Sequence, residues 1–430
     1  MGRLGRLRDS LVNDRSVFVA VNVAVNILFL LRSYVTMRSL TYSDLGLVAL
    51  LQTIILLVSA LQLGVINGAY RLVCSEDEQG VRTVNDFVYA FICALASVLF
   101  VGGAVAALLS GDRDYALVTL LAIFAGILTI LKNWMTNFLI AKVMLQSVNR
   151  VSAVSALVSI LPLVYVRSSP LLICLGSIIL QPLVFVACVI VFLPSLRPRA
   201  LRWSTPVFRR VMAAGFIVFL TSVFLVANAQ IERWSILSYL GTDGLGRFYL
   251  ALVFLNLYTL VPTSLDAIYL PKLVQSYSRN DYARMRLDMR RFFQVLTAYS
   301  ATAAICVWLM APPFLKALLP KYLDDLEYVY LVLPGVVVFG LTAPFAMVFN
   351  ILMRYRYYFY AYGLGTLATA ALLGGYIYNT DTITLRALSI IKTVVYLAMG
   401  TVIILGYIVS SREQPGLRFT PFQIKSPSPT

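Results

Sequence analysis

Twelve stretches of this chain are apolar for roughly twenty residues at a time, at 17–38, 45–66, 87–109, 115–140, 151–166, 172–193, 211–232, 246–269, 293–311, 327–350, 359–378 and 387–410. About twenty residues is the length an α-helix needs to cross the hydrocarbon of a bilayer. The runs are too long for barrel strands and lack alternation of period two. Backbone in lipid must satisfy its own hydrogen bonds, so each run is expected to be a helix. Composition points the same way. Of 430 residues 60% are hydrophobic and 13% charged, against about 25% charged in soluble domains. Several soluble domains' worth of surface cannot be made from so few charges, which excludes a water-soluble enzyme. The expected fold class is an all-α integral membrane protein with about twelve transmembrane helices.

Lys and Arg number 35 against 19 Asp and Glu, a net charge of +16. In a soluble chain such an excess would suggest nucleic acid. Here it follows from the inward bias of basic loops, and no nucleic-acid partner is expected. With the N-terminus inside, 24 basic residues fall on the inner side and nine on the outer, while Lys132 and Lys392 lie within runs. Both termini are therefore expected to be cytoplasmic. The first run is too long for a signal-peptide core and is expected to remain as a span. Residues 411–430, rich in Pro and Ser, are expected to be a disordered tail. Histidine is absent, which removes imidazole bases and His-based metal sites. The five cysteines form no CxxC pair and read as small hydrophobes. No metal and no cofactor are expected.

The chain repeats itself. A basic stretch at 195–210 divides the runs into six (residues 1–194) and six (211–410). A shift of 200 residues superposes Arg38–Leu50 on Ser238–Leu250, matching Leu40 with Leu240, Leu45 with Leu245, Gly46 with Gly246 and Leu50 with Leu250. Both copies place Ser, Thr, Asp and Gly before an apolar run, and Asp44 or Thr242 is expected to cap the helix that follows. An even number of spans per repeat gives both halves the same topology. The two six-helix lobes are then related by a pseudo-two-fold axis along the membrane normal, with a central cavity, as in a carrier.

The six-plus-six arrangement, the Leu-Thr-Tyr-Ser-Asp-Leu-Gly-Leu turn at Leu40–Leu47 and the Gln-Leu-Gly-Val-Ile-Asn-Gly-Ala-Tyr-Arg segment at Gln62–Arg71 resemble the polysaccharide transporter family. This family belongs to the multidrug/oligosaccharidyl-lipid/polysaccharide exporter superfamily. Tyr239–Leu250 and the basic segment Ser276–Arg291 echo the resemblance in the second half. It implies a flippase that carries an undecaprenyl-pyrophosphate-linked repeat unit of O-antigen, capsule or another exopolysaccharide from the inner to the outer leaflet of a bacterial cytoplasmic (inner) membrane. The partners implied are that polyprenyl-pyrophosphate-linked glycan, membrane lipid, and a polysaccharide polymerase with its chain-length protein.

Charges within spans are costly and face a cavity or one another. Arg32, Lys132, Arg233 and Lys392 are the candidates for the anionic end of such a cargo, arginine because its planar fork suits phosphate. Arg32, Arg233 and Lys392 lie near enough to the outer surface to snorkel instead. Lys132, beside Asn133, Thr136 and Asn137, reads as cavity-lining. Asn22 and Asn26 share a face of the first run, and Gln52 and Asn256 continue the polar theme. These amides suit sugar hydroxyls or helix–helix hydrogen bonds equally. Glu232, Asp266 and Asp44 are the candidates for coupling to an ion. Glu232 has Arg233 or Arg32 as alternative partners, and Asp266 has Lys272. Tyr355–Tyr360 reads as an interfacial aromatic belt. Pro182, Pro262, Pro334 and Pro344 are expected to kink their helices.

Three other readings compete. A multidrug extruder of the same superfamily would want an acidic cavity. A membrane glycosyltransferase or polymerase would use Asp112-Arg113-Asp114 as a metal-binding D-x-D, on a loop only about six residues long. The repeat argues against a purely structural scaffold.

Overall fold

The computed structural model describes residues 2–111, 113–352 and 354–413, with the side chains of all of these except 2–16, 18–20, 110, 113, 114, 217, 218, 267 and 271. The acidic pair of the D-x-D and the tail beyond Glu413 lie outside the described side chains. The described residues form the α-helices α1 Gly2–Ser39, α2 Tyr42–Ala60, α3 Val65–Ser75, α4 Glu78–Ser110, α5 Arg113–Ala141, α6 Leu145–Ile160, α7 Pro170–Phe192, α8 Thr205–Ser278, α9 Tyr282–Leu318, α10 Leu326–Leu341, α11 Ala343–Ile351, α12 Arg356–Thr380 and α13 Leu385–Glu413. Among the described residues nine helical stretches are long and apolar enough to cross a membrane. One of them, Phe219–Ser278, covers both the seventh and the eighth apolar runs. Helices α1 and α12 stand where the first and eleventh runs were read.

Contacts divide the chain into two lobes. The first comprises residues up to Val226 together with Leu240–Gly246, and the second comprises Ala227–Tyr239 and everything from Arg247. Helix α8 contributes to both. The sequence led us to expect a turn between the seventh and eighth runs. The backbone makes it at Gly241, where φ is 65° and ψ −166°, so that α8 is two helices meeting at this kink. That conformation is open to glycine and closed to residues with a Cβ. The second run, expected as one helix, is split. Leu63 and Gly64 both have positive φ (53° and 77°), and the chain restarts as α3.

The start of α2 shows how the helices are pinned. Its N-cap is Thr41, not Asp44: the Thr41 hydroxyl accepts from the Asp44 amide (3.2 Å) and donates to the Asp44 carboxylate (2.7 Å). In the second copy Thr242 pairs with the Ser43 hydroxyl at 3.1 Å. Here two backbones touch. A Cβ on Gly46 would lie 1.9 Å from the Thr242 carbonyl oxygen, and a Cβ on Gly246 would lie 1.9 Å from the Tyr42 carbonyl oxygen. Both contacts fall within the first lobe. They interchange under the 200-residue shift seen in the sequence, which gives the repeat a structural counterpart.

In the first lobe α5 packs against α2, α3, α4 and α7 and buries Ile130, Trp134, Met135 and Leu139. Indole needs an acceptor when buried, and the Trp134 Nε1 donates to Asn85 Oδ1 (3.0 Å), while Asn85 Nδ2 donates to the Leu196 carbonyl (3.2 Å). Asn85, 4% exposed, ties α4, α5 and the turn that follows α7 together. Asn85→Leu strands two buried polar groups at about 1–3 kcal/mol each. Thermal unfolding in detergent is expected to show a clear loss of stability, and an unchanged midpoint would refute this role. In the second lobe α13 packs on α10 and α12, over a core that includes Met289, Phe292, Phe345, Phe349, Tyr357 and Tyr407. Pro182, Pro262 and Pro334 lie inside continuous helices, whereas Pro344 opens α11 after a break at Thr342.

Candidate functional site

The first lobe gathers two cations on one face of α7. Ser177, Gln181 and Phe185 follow at four-residue spacing and therefore share that face. From α1, the Arg32 Nη1 donates to the Ser177 carbonyl (3.4 Å), with its guanidinium 4.7 Å from the Phe29 ring centre. From α5, the Lys132 Nζ donates to Gln181 Oε1 (3.3 Å) and lies 5.9 Å from the centre of the Phe185 ring. The two cations are close enough to repel one another. Both side chains are half-buried, and Gln181 is 9% exposed. No acidic side chain among the described residues pairs with Lys132. One turn further along α5, the Thr136 hydroxyl oxygen is buried without a hydrogen-bond partner. The lysine thus faces a neutral amide, beside a second cation and a hydroxyl with no partner.

The second lobe treats the corresponding position differently. The shift of 200 maps Arg32 onto Glu232, and Glu232 is ion-paired with Lys392 of α13, at 2.8 Å to Oε1 and 2.5 Å to Oε2. The side chains are 6% and 11% exposed. The rings of Phe248 and Tyr396 lie 5.6 and 5.9 Å from the ammonium. Neither of the partners anticipated for Glu232 takes this place, and Lys392 does not snorkel: it points inward to a carboxylate. Arg233 is half-buried within electrostatic reach of Glu232, Tyr249 and Tyr396.

The remaining candidates are scattered. The Asn26 amide donates to the Asn22 carbonyl (2.8 Å), a contact within α1. Gln52 is half-buried in α2, and Asn256 is exposed on α8. Asp44 serves the α2 cap. Asp266 is not paired with Lys272, whose ammonium lies over the Tyr269 ring at 5.4 Å. Its Oδ1 is buried with no hydrogen-bond partner. The aromatic belt is only partly a belt. Phe359 and Tyr360 are exposed, but Tyr357 stacks on Phe349 at 4.9 Å, and the Tyr358 hydroxyl donates to the Ala346 carbonyl (2.8 Å) inside the core. Ser177 and Gln181 were missed from the sequence. A lone Gln in an otherwise apolar run was the available signal, but helix phase alone did not say that it meets Lys132.

The comparisons with known proteins fit this architecture. A family model described as polysaccharide biosynthesis protein matches residues 35–325. No curated protein sequence matches the chain. Among solved structures, an inward-facing multidrug resistance MATE family transporter of the MOP superfamily superposes with a TM-score of 0.73 at 12% identity, covering 93% of this chain and 98% of its own. An outward-facing MATE family transporter gives 0.66 at 13% identity, covering 93% and 95%. A MOP superfamily transporter from Pyrococcus furiosus, described as having a binding pocket of reverse polarity, gives 0.67 at 12% identity, covering 93% and 96%. At such identities the likeness establishes the fold, while the family model covers about two-thirds of the sequence. The chain belongs to the polysaccharide biosynthesis protein family and is a multi-pass membrane protein with the fold of the MOP superfamily transporters.

Proposed function

We propose that the protein is a flippase that moves a polyprenyl-pyrophosphate-linked oligosaccharide across a bacterial inner membrane by alternating access, for surface polysaccharide assembly. The observation that carries this reading is the pair of Arg32 on α1 and Lys132 on α5, both set against α7. Both are half-buried in a membrane-spanning lobe, and Lys132 bonds a neutral amide. Uncompensated charge in a span is expensive, and an anionic ligand that supplies the counter-charge recovers that cost. A diphosphate fits, because arginine can bind its oxygens bidentately and the lysine contributes a point charge. Polar amides such as Asn256 and Gln52 would meet sugar hydroxyls. The Pyrococcus furiosus transporter of this fold is described as having a binding pocket of reverse polarity that suggests a different function. A basic site disfavours cationic drugs as the cargo.

The test uses Arg32→Ala and Lys132→Ala. Each removes one charge-assisted interaction, worth about 1.5–3 kcal/mol and so at least tenfold in affinity. Both variants are expected to lose surface glycan while the protein stays in the membrane. In liposomes, the purified wild type is expected to move a fluorescent polyprenyl-diphosphate-sugar without forming a glycosidic bond. Full glycan display by both variants would remove the site assignment. Bond formation would favour a glycosyltransferase, and export of a cationic dye without lipid movement would favour a multidrug extruder.

A further inference from the structure

The second lobe holds a half-open cavity of about 240 Å³, separate from the charged groups described above. Three helices wall it: α8 with Ala251 and Tyr258, α9 with Ala303 and Cys306, and α10 with Val329 and Val336. Its floor is the point where α8 and α9 are tied together. There the Tyr258 and Ser300 hydroxyls share a hydrogen bond (2.7 Å), and the Tyr299 hydroxyl donates to the Tyr258 carbonyl (3.1 Å). These hydroxyls are spent on one another and on backbone. No charged side chain among the described residues lines the cavity.

Depth follows from position along the apolar runs. Tyr258 lies twelve residues from the start of the eighth run at 246, and Tyr299 twelve from the end of the ninth at 311. At 1.5 Å per residue the floor is about 18 Å from that membrane face, just past the middle of a hydrocarbon layer about 30 Å thick. With the orientation expected from the basic loops, that face is the outer one. Water is a poor filler, because a buried water needs several polar partners and apolar cavities stay dry. An empty cleft forfeits the dispersion contacts of its walls. Next to Cys306 on α9, Ile305 and Leu309 are exposed, and an exposed apolar surface at this depth meets lipid chains. Hydrocarbon is therefore the filler the cavity fits.

We propose that this groove binds a polyprenyl chain, the tail of the lipid-linked cargo, an assignment that rests on the flippase reading above. The charges at its outer mouth favour such a tail over a phospholipid with its head group seated there. Arg386 is paired with Glu327 (3.1 Å), and Lys321 lies within reach of Asp325. Arg247 shares its surroundings at Tyr328 with Asp324, Asp325 and Glu327. Each of these cations is answered by carboxylates, so the mouth offers no surplus positive charge to a phosphate. A chain whose diphosphate is held away from this mouth meets no such obstacle.

The probe is a polyprenyl diphosphate with a photoreactive diazirine near the free end of its chain, added to the purified full-length protein. Illumination is expected to cross-link it to peptides covering 251–258, 299–307 and 329–336, and excess unmodified polyprenyl diphosphate is expected to suppress the reaction. Cys306→Trp fills the groove from an exposed position, with little risk to folding, and Ala303→Trp fills it from the α9 wall. Displacing two buried CH₂ groups is enough for about a tenfold loss of affinity, so cross-linking is expected to fall at least that far in both variants. Cross-links confined to other peptides, or yields unchanged in Cys306→Trp, overturn the proposal. Equal suppression by phosphatidylethanolamine overturns it too, by making a phospholipid the occupant. In liposomes, wild type is expected to move a fluorescent polyprenyl-diphosphate-sugar severalfold faster than the same head group on a farnesyl chain. Cys306→Trp is expected to move both at the farnesyl rate, and a variant that keeps the long-chain preference counts against the groove. Absence of lipid movement in wild type sinks the flippase reading instead, and leaves the cross-linking result standing.

Discussion

Lys392→Met is expected to destabilise the second lobe by about 3–5 kcal/mol, because it leaves Glu232 as an uncompensated charge in the protein interior. Glu232→Gln, which strands the ammonium between the Phe248 and Tyr396 rings, is expected to cost a similar amount. The double variant is expected to be more stable than either single one, since replacing both members of a buried pair by neutral groups of similar size is often near neutral. Thermal unfolding of the four proteins in one detergent gives the coupling directly. Additive losses would mean that the pair is not a unit. The cycle also bears on transport. If Lys392 binds cargo, the double variant remains inactive despite its recovered stability. If its work is to hold α13 against α8, the double variant recovers both.

The second large effect concerns the crossing of α2 and α8. Gly46→Ala and Gly246→Ala each place a methyl group 1.9 Å from a backbone carbonyl oxygen, of Thr242 and Tyr42 respectively. A backbone cannot swing aside as a side chain can. Each change is expected to cost at least the ~1–3 kcal/mol of ordinary overpacking and to lower the amount of folded protein recovered from membranes. Gly102→Ala is the control. Nothing lies within 4 Å of the Cβ it would add, and removing a mid-helix glycine is expected to stabilise by about 0.5–1 kcal/mol. Equal behaviour of all three variants would refute the crossing as a constraint. The two sensitive glycines are repeat-equivalent, so their losses are expected to be alike.

The apolar runs were legible because lipid permits few backbone solutions. A run long enough to span, with no water to satisfy its amides, becomes a helix whatever its neighbours do. The repeat was legible for a related reason: Leu45-Gly46 and Leu245-Gly246 retain the residues a close crossing demands. The breaks were harder to read. Gly241 lies in a stretch of Ser, Thr, Asp and Gly that reads as a turn, and two helices of α8 do meet there, but that this one glycine takes up the change of direction was not legible. Leu63 has positive φ, which leucine disfavours, so nothing in its identity announced the end of α2.

The candidate site divides along the same line. That Arg32, Lys132, Glu232, Asp266 and Lys392 lie within or at the ends of spans was legible in the residue order, because position along an apolar run fixes depth in the bilayer. Which charges meet was not, and came from the packing of the helices. Lys132 meets Gln181, Glu232 meets Lys392 across 160 residues, and Asp266 meets no partner at Oδ1. Depth follows from counting along one helix at 1.5 Å per residue. Pairing depends on how helices are rotated and packed against one another, and that is set by side-chain interlocking over whole lobes.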